Sequence, residues 1–154
     1  MKLEKITIRT DNTEKGVARI GELNNSVLSK ELDLISEGNT SVVTYSNYES
    51  NDKGMYDYTI SDYTVEDRDK LLHKLREDIN YKEYTLNAST PVDSIQNTWK
   101  EVWSADINRA FSIDYEFTLF DNETNTFNTH VFIALKPNNT DDKFVVPAPA
   151  FQYK

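Results

Sequence analysis

The sequence predicts an α+β fold in which two similar units, each a strand, a helix and a hairpin, form one antiparallel sheet with two main helices. Strand-like alternation gives way to helical spacing in residues 2–38 and again in residues 80–108. Each of these segments precedes two extended runs separated by a turn, which is the pattern of a β-hairpin. Tandem units of this kind pair most simply into a single sheet with a pseudo-two-fold axis between them.

The first unit begins with a strand and a helix. In KLEKITIRT, residues 2–10, apolar and polar residues alternate closely enough to predict a strand. Asp11 and Glu14 then have the spacing of a capping box. Apolar residues recur at helical intervals from there as far as Gly38, which predicts a helix between these points.

A hairpin completes the first unit. TSVVTYSNYES and MYDYTISDYTV are both rich in β-branched and aromatic residues, as strands are. They flank NDKG, whose composition is typical of a turn. The charged segment that follows, EDRDKLLHKLRED, is interpreted as a connector with room for a short helix.

The second unit repeats this order without repeating the letters. YKEYTLNA is interpreted as a strand. Thr90, Pro91 and Asp93 supply an N-cap, a proline at the first helical position and an acid at the third, which predicts a helix start. FSIDYEFTLFD and FNTHVFIALKP, with DNETNT between them, predict the second hairpin.

We interpret residues 1–154 as a single domain, because this length suits one sizeable core. Its pseudo-repeat halves are expected at about residues 2–65 and 80–137. The tail, residues 138–154, contains prolines and an apolar end and is predicted to add an edge strand or to wrap the sheet.

Composition excludes several kinds of function. The net charge is −9 and no segment forms a basic stripe, so direct nucleic-acid binding is not expected. The chain has no cysteine, only two distant histidines and four scattered glycines, so no metal, cofactor or phosphate-loop site is predicted. No apolar run is long enough to cross a bilayer, and a cytoplasmic location is expected.

The strand SIDYEFTLFD carries an unusual carboxylate, Glu116, near its centre. Alternation places Asp114, Glu116, Thr118 and Phe120 on one face. The partner strand THVFIALKP has apolar groups on both faces, so the sheet is expected to be covered on both sides and Glu116 to point inward. A solvated position on a half-buried strand is the alternative.

A buried carboxylate needs a hydrogen-bond or charge partner, because burying it bare costs several kcal/mol. Arg109 and His130 are the internal candidates, and a cationic ligand is the other source of positive charge. Aromatic faces favour organic cations by about 0.5–2 kcal/mol each. The aromatic residues placed to supply them, each of which also fits an ordinary core position, are Tyr45, Tyr48, Tyr56, Tyr58, Trp99 and Trp103.

These features resemble a known family. The order of elements, Thr98-Trp99 within SIQNTWKEVW, the run Asp114-Tyr115-Glu116 and the proline that ends the last strand are similar to GyrI-like effector-binding domains. Such domains occur attached to AraC-type and related multidrug-responsive regulators and as stand-alone and integron-cassette proteins. The resemblance covers roughly residues 2–137.

The resemblance implies a groove between the two halves that accepts bulky, often cationic aromatic molecules. In it Glu116 matches the family's acidic ligand-binding residue, and Trp99, Tyr45 and Tyr48 match positions that line the groove. The full set of predicted ligand-binding residues is Glu116, Trp99, Tyr45, Tyr48, Trp103, Tyr58 and Phe120. No catalytic residue is predicted.

The favoured hypothesis is therefore a stand-alone effector-binding or sequestering protein for an organic cation, with any DNA binding left to another chain. Two alternatives stay open. Some GyrI-like proteins are hydrolases that open the cyclopropane of DNA-alkylating natural products, and Glu116 is the residue that would position water. The acidic surface or the tail would otherwise bind a regulator or, by family analogy, a topoisomerase.

Overall fold

A computed structural model describes residues 5–36 and 39–137 of the chain. Predictions for residues 2–4 and for the tail, residues 138–154, lie outside this range. The elements are β1 (Ile6–Thr10), α1 (Glu14–Ser36), β2 (Asn39–Ser46), β3 (Tyr56–Thr64), α2 (Val65–Glu77), β4 (Tyr81–Ala88), α3 (Pro91–Ser104), β5 (Asp114–Asp121) and β6 (Thr126–Ala134).

Within the described residues, six strands form one antiparallel sheet in the order β1-β3-β2-β5-β6-β4. In each unit the first strand pairs with the last, and the two units join where β2 pairs with β5. Three residue pairs make this junction, with Thr44 opposite Tyr115 at its middle. The pseudo-two-fold axis therefore passes between β2 and β5, and the predicted α+β architecture of tandem units is confirmed.

The helix starts follow their capping residues. Thr90 accepts a hydrogen bond from the backbone N–H of Asp93 at 3.1 Å and Pro91 opens α3, as predicted. The capping box predicted from Asp11 is wrong by two residues, because Thr13 accepts the bond from the Gly16 N–H and Asp11 instead accepts from Thr13. Asp11 forms a short turn ahead of the helix.

Gly16 is required where α1 meets this turn. A Cβ at this position would lie 2.3 Å from the carbonyl oxygen of Asp11, which is backbone and has no freedom to move aside. The buried Thr10 hydroxyl donates to the Gly16 carbonyl at 2.8 Å and holds the start of α1 against the end of β1.

The charged connector forms α2, a third helix, and it covers one face of the sheet. The core on this α2 face consists of Val42, Leu72, Leu75, Phe117 and Phe132. The opposite face, the α1/α3 face, carries these two helices. It has one cluster of Tyr56, Tyr58 and Ile60 and another of Trp99, Val102, Val131 and Ile133. Cover on both faces explains why β6 is apolar on both sides.

Small hydroxyl side chains attach α3 to the sheet. Ser94 is fully buried, and its Oγ lies 2.7 Å from the Thr129 Oγ1 and 3.1 Å from the Phe127 carbonyl oxygen. Thr98, also fully buried, donates to the Ser94 carbonyl at 2.7 Å. This close contact fixes the height of Trp99, the next residue, above the central strands. No helix in the described ranges has the length and apolar character needed to span a membrane.

We expect Phe117→Ala to lower the free energy of unfolding by about 3–5 kcal/mol, because Phe117 fills the core between β5 and α2. Phe120→Ala is the matched control: it makes the same change on the same strand at a side chain that is 49% exposed. It is expected to cost about 1 kcal/mol or less. Urea unfolding measures both values, and equal losses would contradict this packing.

Candidate functional site

Glu116 points inward from β5 on the α1/α3 face of the sheet and is only 4% exposed. Its Oε1 accepts two hydrogen bonds, from the Tyr45 hydroxyl at 2.7 Å and from the Trp99 indole N–H at 2.8 Å. One donor comes from β2 in the first unit and the other from α3 in the second. The predicted inward orientation is confirmed, and the solvated alternative is wrong.

No cation of the described residues pairs with Glu116. Arg109 binds Asp114 and His130 binds Glu83, so both internal partners predicted for Glu116 are wrong. Burial raises the pKa of Glu116, and the hydrogen bonds from Trp99 and Tyr45 offset only part of that rise. The site therefore holds an acid with two hydrogen-bond donors and, within the part of the chain that the structure describes, no counter-charge.

Tyr45 is the centre of an aromatic cluster that joins the two units. Its ring centroid lies 4.9 Å from that of Trp99 and 5.3 Å from that of Tyr58, both in edge-on arrangements. The ring of Tyr56 lies 5.6 Å away and is tilted. Burial and the negative charge of Glu116 raise the pKa of Tyr45, so its hydroxyl stays protonated and donates to the carboxylate.

A second carboxylate, Asp114, lies two residues earlier on the same face and is fully buried. Its Oδ2 accepts from Arg109 Nη2 at 2.9 Å and from the Tyr48 hydroxyl at 2.6 Å, and its Oδ1 accepts from the Ala134 N–H at 2.8 Å. Burial, followed by the charge of Asp114, raises the pKa of Tyr48 well above its usual range. Asp114 therefore has both a counter-charge and a partner on each oxygen.

Arg109 is held in place by backbone pairing and by aromatic rings. Its segment runs beside the end of β6, where the Ala110 N–H donates to the Ala134 carbonyl at 2.8 Å. The guanidinium carbon lies 4.3 Å from the ring centroid of Phe111 and 5.9 Å from those of Tyr48 and Trp99. These contacts aim the cation at Asp114 rather than at Glu116.

The predicted ligand-binding residues are not all brought together. Trp99 and Tyr45 contact Glu116 directly, and Tyr58 packs on Tyr45. Trp103 stacks at a tilt on Trp99, with centroids 6.1 Å apart, and is 52% exposed. Tyr48 binds the neighbouring acid, Asp114, and also packs on Tyr56.

Phe120 does not join this group. It lies four residues beyond Glu116, about 13 Å along the strand, and its ring packs on Phe127 with centroids 5.0 Å apart. Alternation along the strand predicts the correct face for Phe120 but not its distance from the carboxylate.

Sequence reasoning missed the role of Asp114 and of Phe111. The alternation of side chains along β5 that predicts an inward Glu116 also predicts an inward Asp114, so this signal was present in the sequence. Phe111 has a φ of 54°, in the left-handed region, and nothing in its local sequence indicates such a conformation. That turn brings its ring onto Arg109.

Comparison with known proteins gives a similar fold and no family. No protein-family model and no curated protein matches the chain. The structure is similar to an integron cassette protein, VCH_CASS2, from the mobile metagenome of Vibrio cholerae, with a TM-score of 0.61 and 17% sequence identity. The match covers 88% of this chain and 94% of that one, and at this identity it concerns the fold alone. The GyrI-like assignment stays a prediction.

We expect Glu116→Gln to raise stability at about pH 7.5 and to change it little near pH 4. A glutamate whose pKa is raised on folding makes the protein less stable as the pH rises through that pKa, and glutamine removes this loss. The amide oxygen still accepts from Tyr45 and Trp99. Urea unfolding at the two pH values measures the difference.

Glu83→Gln, on the α2 face, is the control, and the opposite change in stability at neutral pH is expected for it. Burial of Glu83 is outweighed by hydrogen bonds from Arg76 and His130, which lower its pKa, so its contribution to stability is lost as the pH falls. This variant is expected to lose about 1 kcal/mol or less at neutral pH, because the Arg76 pair is partly exposed. A loss of stability at neutral pH for Glu116→Gln as well would contradict the uncompensated charge at Glu116.

Proposed function

We propose that the protein binds amphipathic, positively charged aromatic molecules in a groove between its two pseudo-symmetric halves, with Glu116 as the counter-charge. The observation that carries this proposal is the buried Glu116 carboxylate, which has two neutral hydrogen-bond donors and no cation among the described residues. A bound organic cation supplies the missing charge.

The strength of this attraction follows from the surroundings of the carboxylate. A charge pair at about 4 Å contributes roughly 1 kcal/mol in bulk water and about 4 kcal/mol at an effective dielectric constant of 20. Glu116 lies among tyrosine and tryptophan rings, so the value for the lower dielectric constant applies to a cation beside it. An uncharged molecule of the same shape gains none of this energy.

The rings next to Glu116 are suited to the apolar part of such a ligand. The polar hydrogens of Tyr45 and Trp99 are both directed to Oε1, so the remainder of each side chain beside the carboxylate is aromatic carbon. Trp103 extends the aromatic surface from Trp99 toward solvent, where it is 52% exposed. Flat cationic molecules are stabilised by both the carboxylate and the rings.

The position of the site in the fold supports a binding role. Glu116 and Tyr45 lie on the two central strands, and the helices that flank them, α1 and α3, belong to different units. Ligand sites are common at the junction between two structural units. The protein acts in this proposal as a sensor with a separate regulatory partner or as a sequestering protein, and the lack of cysteine supports a cytoplasmic location.

We expect Glu116→Gln to weaken binding of ethidium, a flat monocation, on the order of tenfold or more. Its uncharged phenanthridine precursor is expected to bind both proteins equally, because it has no charge to lose. Calorimetry measures the affinities, and quenching of Trp99 and Trp103, the two tryptophans of the sequence, shows that the dye lies at the site.

The control is Glu83→Gln, which removes the same charge from the opposite face and is expected to leave ethidium binding unchanged. Equal ethidium affinities for the wild type and Glu116→Gln would refute the proposal. Conversion of an electrophilic cyclopropane to its water adduct, detected by mass spectrometry, would instead favour the hydrolase alternative.

A further inference from the structure

Two carboxylates are buried side by side on β5, and the described residues supply a counter-charge to only one of them. Asp114 and Glu116 are two residues apart on one face, so their Cα atoms are separated by about 7 Å. Arg109 pairs with Asp114 at 2.9 Å, and no cation of the described residues pairs with Glu116. With both acids ionised, these three side chains sum to one net negative charge.

We infer that Arg109 sets the number of positive charges that the site accepts, so that ligands with one charge bind in preference to ligands with two. This inference rests on the proposed function, because it concerns ligands held by Glu116. Without Arg109, the charge of the buried Asp114 would add to that of Glu116 at the site. With it, the second carboxylate is neutralised inside the protein.

The position of Arg109 also penalises a second ligand charge. Its guanidinium carbon lies 5.9 Å from the ring centroid of Trp99, whose indole N–H donates to Glu116. A ligand cation beside Glu116 therefore has Arg109 as a near neighbour on one side. A second cationic group placed toward Asp114 meets a like charge instead of a free acid.

The details of this pair suit charge control better than stability alone. The Arg109 side chain is 9% exposed, and its Nε is buried without a hydrogen-bond partner among the described residues. A buried ion pair that leaves a donor unpaired gives little net stabilisation. Three aromatic rings hold the guanidinium in this position, so it compensates Asp114 without reaching Glu116.

The test compares ethidium with propidium, which has the same ring system and a second quaternary ammonium group. The wild type is expected to prefer ethidium. Arg109→Gln leaves two negative charges and is expected to shift the affinity ratio toward propidium on the order of tenfold. Asp114→Asn releases the Arg109 charge and is expected to weaken ethidium binding by a similar factor.

The double variant Arg109→Gln/Asp114→Asn restores one net negative charge and is expected to recover the wild-type ratio. It leaves no more charge unpaired than the wild type, in which Glu116 already has no cation among the described residues. It differs from Asp114→Asn only at position 109, so it is expected to bind ethidium on the order of tenfold more tightly than Asp114→Asn does. This comparison carries the test if Arg109→Gln fails to fold. Exposed acids attract both dyes in every variant, so their effect cancels when ratios are compared between variants.

Two results would overturn this inference: an ethidium-to-propidium ratio for Arg109→Gln equal to that of the wild type, or equal ethidium affinities for Asp114→Asn and the double variant. If Glu116→Gln still weakens ethidium binding in that experiment, the proposed function stands and only the role of Arg109 fails. If Glu116→Gln has no effect on ethidium, the proposed function itself fails.

Discussion

Charge balance on the α1/α3 face of β5 is the constraint on which the structure of this site depends. Two carboxylates occupy successive inward positions of a central strand, where each would be costly without partners. Asp114 is satisfied by a cation, a phenol and a backbone N–H. Glu116 accepts from a phenol and an indole, and no cation of the described residues pairs with it. The segment after α3 and the position of Tyr48 bring hydrogen-bond donors to Asp114. The position of Trp99 brings a donor to Glu116.

Glu83 shows that this fold can neutralise a glutamate from its own side chains. On the α2 face, Arg76 contacts both oxygens of Glu83 at 3.0 Å, and His130 Nδ1 lies 2.8 Å from Oε2. The pKa of Glu83 is lowered in spite of burial, whereas burial raises that of Glu116. The described residues pair Glu83 with Arg76 and His130 and supply no cation to the more deeply buried Glu116, which supports the proposed binding role of Glu116.

Local periodicity explains which parts of this structure were predictable from the sequence. Alternation gave the faces of β5 and β6, and Thr90 with Pro91 gave the start of α3, because each depends on neighbouring residues. The partner of Arg109 was not predictable. It depends on the left-handed backbone at Phe111 and on pairing of residues 108–110 with the end of β6, and both are contacts made only in the folded chain. Phe120 lies on the same face of the sheet as Glu116, but its distance along β5 keeps it away from the site.

The pseudo-two-fold axis relates Glu116 of one unit to a tyrosine of the other. The three pairs between β2 and β5 centre on Thr44 and Tyr115, so rotation about this point exchanges Tyr45 with Glu116. One unit therefore supplies a phenol at the position where the other supplies a carboxylate, and the two groups bond to each other across the axis at 2.7 Å. A glutamate at both positions would bury two like charges in contact and force one to take up a proton. Divergence of the two units at this position keeps one carboxylate and gives it a donor, which is the arrangement that the proposed binding of a single cation would use.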